Sequence, residues 1–307
     1  MTNADETTRR KAVVLGGGGP VGVAWELGLA AGLAAGGVDL TTAGLVVGTS
    51  AGSITGAMLT GGDDPAQLVD EIEEIFSTGA GGSGADQVAA TALAEFMDLT
   101  FAWGSVGDNP AARLEHIRKI GRFAAAAETI SEDAFVGSLG TVLAGRPWPA
   151  QFACTAVDIE TGEFQVWDAT TDVPLERAIA SSCSVPGVYP SVTIGGHRYM
   201  DGGARSALNA DLASGYDVAV VVSVTAMELP PGIDDPRIGA FLATQRAEIS
   251  KLEASGTEVH VIQPDLEFLT VSGFGLNLMD FTILTASAEA GARLGKLEAD
   301  RIGSAWA

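Results

Sequence analysis

The stretch Leu45-Val46-Val47-Gly48-Thr49-Ser50-Ala51-Gly52 decides the fold class. Its apolar start predicts a short buried strand, and the small residues from Ala51 onward predict a closely packed helix. Between them, Gly48-x-Ser50-x-Gly52 has the spacing of a nucleophile elbow, a sharp strand-to-helix turn in which glycines tolerate strain and close packing. In a chain with 40 glycines the same spacing also arises by chance, so an ordinary tight turn is the competing interpretation.

A second strand and glycine turn lie upstream. Residues 12–15 predict a buried strand, and Gly16-Gly17-Gly18-Gly19-Pro20-Val21-Gly22 follows it. A helix is predicted from Pro20, because proline suits a first helical turn, to the glycine pair at 36–37. Two strand–helix units with continuously apolar strands predict a parallel sheet that is covered on both faces. The backbone N–H groups of the stretch Gly16–Gly22 are candidate oxyanion donors.

The remaining elements extend this α/β pattern. Residues 63–143 show helical periodicity and no strand pattern, which predicts either a cap over the site or a helical side layer. Without an internal repeat or a linker, residues 1–307 are predicted to form a single domain. Further strands are predicted at 152–157, 164–167, 192–194, 198–200, 218–224 and 259–262, with a helix at 286–305.

Asp201-Gly202-Gly203 follows a predicted strand and places a carboxylate at its end. Such an aspartate commonly makes only a turn. A serine hydroxyl, however, becomes a nucleophile when a base takes its proton, so Ser50 and Asp201 together predict a catalytic pair.

A Ser-His-Asp triad is the alternative to a serine–aspartate pair, and the chain has three histidines that could complete it. Only His260 follows in the order serine, acid, histidine, and its apolar strand favours a packed residue. His197 lies in a hairpin, and His116 is predicted on a solvated helix face among Arg113, Arg118 and Lys119.

The glycine loop also fits a dinucleotide-binding hypothesis. Gly17-x-Gly19-x-x-Gly22 follows a strand and opens a helix, and Asp39 stands at the spacing expected for a ribose contact. Against this, Pro20 lacks an N–H where a pyrophosphate needs donors. The hypothesis also leaves Ser50 without a role. Neither a cofactor nor a metal is therefore expected.

Composition limits the partners and the location. A net charge of −22 repels nucleic acid and anionic lipid, so no nucleic-acid partner is expected; a salty habitat would explain the same charge. Cys154 and Cys183 lack metal or redox spacing and are predicted to be buried thiols of a reducing, cytoplasmic compartment. The uncharged residues 40–62 contain many glycines and predict a strand, turn and helix rather than a transmembrane segment. The apolar residues 268–281 are core by default, with an acyl groove or a dimer face as alternatives.

The chain resembles the bacterial patatin-like phospholipases in four segments that keep the family's order and spacing. They are Leu15–Gly22, Gly48–Gly52, Ala180–Pro190 and Asp201–Gly203. The resemblance implies a three-layer α/β/α sandwich with a largely parallel sheet, and hydrolysis of lipid acyl esters by a serine–aspartate dyad without histidine.

By this resemblance Ser50 corresponds to the nucleophile, Asp201 to the base and Gly17, Gly18 and Gly19 to the oxyanion loop. Val21 stands where the family often has arginine or lysine, which weakens the expectation of phospholipid preference but not that of ester hydrolysis.

We therefore expect a phospholipase A or carboxylesterase type of lipid acyl hydrolase that works through an acyl-enzyme. The expected partner is a lipid or another acyl ester, and a transient membrane-surface contact and homo-oligomerisation stay open. The alternatives are a non-catalytic lipid- or partner-binding protein on the same fold and, less favoured, a dinucleotide-dependent oxidoreductase.

Overall fold

A computed structural model of the chain describes residues 9–77, 86–143, 145–228 and 235–307. The strands there are β1 (Lys11–Leu15), β2 (Leu45–Gly48), β3 (Phe152–Asp158), β4 (Phe164–Asp168), β5 (Val192–Ile194), β6 (His197–Asp201), β7 (Val218–Val222) and β8 (Glu258–Ile262). The helices there are α1 (Gly19–Ala35), α2 (Ala51–Thr60), α3 (Pro65–Asp70), α4 (Ile72–Ser77), α5 (Asp86–Phe101), α6 (Trp103–Val106), α7 (Pro110–Ala126), α8 (Glu132–Leu143), α9 (Leu175–Ser182), α10 (Pro236–Ala254), α11 (Leu266–Val271) and α12 (Leu284–Trp306).

The strands form one sheet in the order β5-β6-β3-β2-β1-β7-β8, with β4 also paired to β3. Strands β3, β2, β1, β7 and β8 are mutually parallel, whereas β4 and β6 each pair antiparallel with β3, and β5 pairs antiparallel with β6. The sheet is therefore largely parallel, as the apolar strand pattern predicts.

Both faces of the sheet are covered, which makes three layers. Val13 and Leu15 of β1 point to one face and pack with α1, α2, α9 and α12. Ala12 and Val14 point to the other face, where α10 and the turn after Asn209 cover them. Because the side chains on both faces of β1 are apolar, both faces of the sheet must be packed against other elements. The predicted α/β/α class is confirmed.

Helices α1 and α12 pack through facing glycines. A Cβ atom on Gly28 would lie 1.9 Å from the Ala288 carbonyl oxygen, and one on Gly291 would lie 2.1 Å from that of Trp25. The absence of side chains lets the two backbones touch, and any larger residue would push the helices apart. This contact fixes α1, whose first turn carries the glycine loop.

The helical segment between β2 and β3 divides between the two faces. Phe135 of α8 and Ile72 of α4 join the core that contains α1 and α2. Trp103 of α6 and Ile120 of α7 pack instead with Phe241 of α10. A role of residues 63–143 as a cap stays a prediction, as does the single-domain organisation.

Several boundaries differ from the sequence predictions. Strand β7 ends at Val222 rather than 224, because its partner β8 ends at Ile262, opposite Val222. Helix α10 was not predicted, although its buried Phe241, Leu242, Ile249 and Leu252 have helical spacing. Among the described residues, no helix has both the length and the apolar character that a membrane span requires.

Candidate active site

Strand β3 brings the two candidate catalytic residues together. On one edge it pairs with β4; along the other edge it pairs first with β2 and then with β6. Strand β2 ends with Gly48 opposite Cys154, and the antiparallel β6 ends with Asp201 opposite Ala156. The two strands thus run toward each other and stop two positions apart on β3, so Ser50 and Asp201 meet across Thr155.

Ser50 occupies a strained turn between β2 and α2. Its φ of 54° and ψ of −116° lie in a region that residues other than glycine rarely adopt. The turn closes only because Gly48 and Gly52 lack side chains: a Cβ atom on Gly48 would lie 2.2 Å from the Gly52 oxygen, and one on Gly52 would lie 2.2 Å from the Leu15 oxygen. Nucleophile elbows share this geometry.

Asp201 is buried and hydrogen-bonded. The residue is 3% exposed, and its side chain accepts from the Gly203 N–H at 2.7 Å. Burial raises the pKa of Asp201 to about 7, and the Ser50 hydroxyl and the Gly203 N–H nearby oppose a larger rise. The carboxyl is therefore a base suited to neutral pH.

The loop after α9 holds the Ser50 backbone. The Ser50 N–H donates to Ser182 Oγ at 3.0 Å, and the Cys183 thiol donates to the Ser50 carbonyl at 3.3 Å. One residue further, the Ser184 carbonyl accepts from the Asp201 N–H at 3.0 Å. Residues 182–184 thus tie both candidate residues to one segment. Both cysteines of the chain are buried free thiols, as predicted.

Asn209 is a site residue that sequence analysis missed. Its buried side-chain amide donates to Thr49 Oγ1 at 3.0 Å and to Thr155 Oγ1 at 3.3 Å, and these two hydroxyls are 2.9 Å apart. The same amide contacts the Gly202 carbonyl at 3.4 Å. Asn209 therefore connects the Ser50 turn, β3 and the Asp201 turn. No local spacing marks it, because its partners come from three distant segments.

The hydrogen bonds of the glycine loop show which of its N–H groups are free to act as oxyanion donors. The Gly17 N–H donates to the Ala207 carbonyl at 3.0 Å, so it is already used. Among the described residues, no hydrogen bond is donated by the Gly18 or Gly19 N–H. Gly19 begins α1, whose N-terminus favours negative charge, and a Cβ atom on Gly17 would lie 3.5 Å from Ser50 Cβ. Gly18 and Gly19 are the available donors beside the serine.

A narrow apolar cavity of about 90 Å³ opens above Ser50. This volume corresponds to about three water molecules. The walls come from both glycine turns, from α4 and α8 and from the segment before α12; they include Ile54, Phe76, Phe135, Leu139, Met279 and Phe281. A mostly apolar cavity with Ser50 in its lining suits the acyl part of an ester.

The sequence model of the patatin-like phospholipases matches residues 13–214, about two thirds of the chain and the part that contains the Ser50 and Asp201 turns. The chain belongs to the patatin-like phospholipase family. No curated protein sequence is significantly similar to it. Among solved structures, VipD from Legionella pneumophila is 16% identical, with 80% of this chain and 53% of that chain covered and a TM-score of 0.39. The type III effector protein ExoU is 16% identical, with 94% and 54% covered and a TM-score of 0.33. This patatin-like chain thus spans about half the length of either structure.

The histidines of this patatin-like protein make their contacts elsewhere. His260 hydrogen-bonds Glu258 on β8, which β1 and β7 separate from β2, and His197 hydrogen-bonds Asp158 at 3.0 Å. The prediction of a solvated His116 was wrong, because the ring is buried against Trp103 and contacts the Leu99 carbonyl.

Asp39, the residue expected to contact a ribose in the dinucleotide-binding hypothesis, has a different role in the structure. Asp39 caps a short turn by accepting from the Thr41 N–H at 2.8 Å.

Val21 is fully buried, and its N–H donates to the Leu278 carbonyl. An apolar side chain thus fills the position where the family often has a cation. Within the described residues, no cluster of histidine, cysteine and acidic side chains is arranged to hold a metal ion.

Proposed function

We propose that the protein is a serine acyl hydrolase of lipid esters in which Ser50 is the nucleophile and Asp201 the general base. The observation that carries the proposal is that the strand pairing brings a strained, cavity-lining Ser50 next to the buried Asp201 carboxyl, whose pKa is raised to about 7. Family membership supports the lipid substrate class.

In the first half-reaction, Ser50 Oγ attacks the ester carbonyl carbon while Asp201 takes the hydroxyl proton. The carbonyl oxygen becomes an oxyanion beside the N–H groups of Gly18 and Gly19, and such donors are each worth about 3–4 kcal/mol in known cases. Collapse of this intermediate breaks the ester C–O bond. The leaving alkoxide takes the proton from Asp201 and departs as an alcohol.

In the second half-reaction, a water molecule attacks the acyl-serine while Asp201 accepts its proton. The tetrahedral intermediate expels Ser50 Oγ, which regains the proton, and the fatty acid leaves. One carboxyl group thus serves both steps. The role requires an ionised aspartate at neutral pH that still binds a proton readily, which a pKa of about 7 provides.

The cavity limits the substrate. At about 90 Å³ it holds the reacting ester group and only a short length of chain, so a long acyl chain requires displacement of α4 or α8. Val21 in place of a cation favours uncharged ester groups near the oxyanion over a phosphate at that position.

The test is labelling by a fluorophosphonate, which phosphonylates an activated serine, followed by mass analysis of the intact and digested protein. We expect one adduct on Ser50, none in Ser50→Ala and a loss of at least a hundredfold in rate in Asp201→Asn. The matched control is Ser138→Ala, since Ser138 also faces the cavity but donates to the Phe135 carbonyl instead of to a carboxylate.

Labelling of Ser138, or full labelling of Asp201→Asn, would contradict the dyad. Retained labelling in His260→Ala is expected, because His260 lies on a distant strand. An unlabelled but folded wild type would favour the non-catalytic lipid-binding alternative.

A further inference from the structure

Residues 268–279 contain no charged side chain. In the structure their large apolar side chains lie in three different environments: the core, the cavity wall and the solvent. Phe268 is fully buried against Trp25, and Met279 lines the cavity above Ser50. Phe274 and Leu276, in contrast, are 51% and 80% exposed. Two large apolar side chains in water beside an apolar cavity indicate an interaction surface.

The exposed part is a well-defined loop, here called the tip loop (residues 272–279). Gly273, Phe274 and Gly275 have φ values of 59°, 57° and 86°, an unusual run of three left-handed residues. The Phe274 N–H donates to the Leu269 carbonyl at 2.6 Å, and the Asn277 N–H donates to that of Ser272 at 3.0 Å. A strained conformation with internal hydrogen bonds holds the Phe274 ring outward.

The tip loop contacts the proposed oxyanion loop directly. The Leu278 carbonyl accepts from the Val21 N–H at 3.2 Å, and a Cβ atom on Gly19 would lie 2.6 Å from the same oxygen. Met279 and Phe281 then continue into the cavity wall. An apolar surface therefore runs from the exposed tip to Ser50, and an occupant of the tip would lie at the entrance of the cavity.

The charges around the tip loop determine the kind of occupant. Acidic residues border the uncharged stretch on both sides: Glu267, which pairs with Arg293, and Asp280, which caps the turn at Thr282. The chain as a whole carries a net charge of −22. Anionic lipid would be repelled, whereas a zwitterionic or uncharged lipid surface accepts apolar side chains without that cost.

We propose that the tip loop inserts Phe274 and Leu276 into a zwitterionic lipid surface and thereby places the cavity entrance on the substrate. This inference rests on the proposed function, because placing the cavity entrance on a lipid matters only if the protein hydrolyses lipid. The binding test is independent of hydrolysis, because it uses the Ser50→Ala protein.

The experiment measures flotation of full-length Ser50→Ala protein with phosphatidylcholine vesicles. We expect the Ser50→Ala protein to bind. Adding Phe274→Asn and Leu276→Asn should lower the partition coefficient at least tenfold, because both apolar side chains that would enter the lipid are removed. Asparagine accepts the left-handed backbone at Phe274, so the fold is retained, as unchanged thermal unfolding will show. The matched control is Leu297→Gln, which removes a 71% exposed leucine on α12 and should leave binding unchanged.

Four outcomes would contradict the proposal or part of it. Absence of binding to phosphatidylcholine, or equal binding of the double variant, would overturn the proposal. Tighter binding when phosphatidylglycerol is mixed in would overturn the preference for an uncharged surface. A stable dimer in light scattering that the double variant dissociates would show that a second copy of the chain, and not lipid, covers the tip loop.

Discussion

Two buried carboxyl groups, Asp201 on β6 and Glu26 on α1, differ in their surroundings. Asp201 is 3% exposed and accepts a hydrogen bond from the Gly203 N–H at 2.7 Å. Glu26 is 1% exposed, and within the described part of the chain neither of its oxygens has a partner of normal hydrogen-bond geometry. Both carboxyls are buried, so they differ in the well-formed hydrogen bond that Asp201 alone accepts.

The comparison shows that burial alone does not make a base. Burial raises the pKa of Asp201 to about 7, within reach of ionisation at neutral pH. Burial raises the pKa of Glu26 well above its ordinary value, although Thr55 and the Gly16 backbone lie close enough to oppose part of the rise. Burial thus favours the neutral form of Glu26 over the charged form. A base needs both a moderated pKa and a hydroxyl to deprotonate.

The largest expected effect is on turnover. Asp201→Asn should lower kcat on a soluble ester by at least about a thousandfold, since it removes the group that accepts the serine proton. Glu26→Gln keeps the shape of the side chain and removes its ability to ionise, and we expect kcat within threefold of wild type. Steady-state kinetics with p-nitrophenyl butyrate measure both.

Circular dichroism of the two variants serves as the folding control. A folded Glu26→Gln protein that lost as much activity as Asp201→Asn would remove the distinction between the two carboxyls. It would then assign a proton-transfer role to Glu26.

The second expected effect is on stability. The folded state binds a proton at Asp201 more readily than the unfolded state between about pH 4 and pH 7, so wild type loses stability as pH rises through that window. Asp201→Asn should therefore gain stability relative to wild type, up to roughly 4 kcal/mol, and the gain should be constant above pH 7. Glu26→Gln should also gain stability relative to wild type as pH rises above about 4.5, because burial raises the pKa of Glu26 well above its ordinary value.

Urea unfolding at pH 4 to 9, with each variant compared with wild type at the same pH, measures these differences. No gain for Glu26→Gln at any pH would show that Glu26 finds partners in the folded state that stabilise its ionised form.

How much of this site the sequence predicts depends on the range of the interactions. Gly48, Ser50 and Gly52 are predicted because a strand-to-helix turn is local, and Asp201 because it ends a strand. Asn209 is not, since its role depends on donors and acceptors from three distant segments. The backbone of Gly17 was counted as a donor because sequence does not show that Ala207 occupies it.

The same limit explains the error on His116. Its charged neighbours along α7 indicate a solvated face, but Trp103 from the preceding helix covers the ring. Glu26 gave no signal either, because one charge in an apolar helix is compatible with exposure. Tertiary contacts alone determine which polar side chains end up buried.

The third expected effect is the pH dependence of turnover. Only the ionised form of Asp201 accepts a proton, so kcat/KM should rise about tenfold per pH unit below pH 7 and level off above it. Glu26→Gln should keep the midpoint, because Glu26 takes no part in the transfer. Initial rates from pH 5 to 9 in buffers of constant ionic strength give the profile. A midpoint near 4 would mean that Asp201 ionises as if exposed.

The smallest effect concerns two buried threonines, one beside each carboxyl. Thr155 Oγ1 bonds Thr49 and Asn209 next to the Asp201 turn, so Thr155→Val should cost about 1–3 kcal/mol by leaving those groups unpaired. Thr55 Oγ1 is buried near Glu26 and has no partner of normal geometry among the described residues, so Thr55→Val should be neutral or stabilise by up to about 1 kcal/mol. Urea midpoints of the two isosteric variants decide the matter. If Thr55→Val destabilises as much as Thr155→Val, then Thr55 donates to Glu26 in solution, and the two carboxyls differ in the strength of their partners rather than in having them.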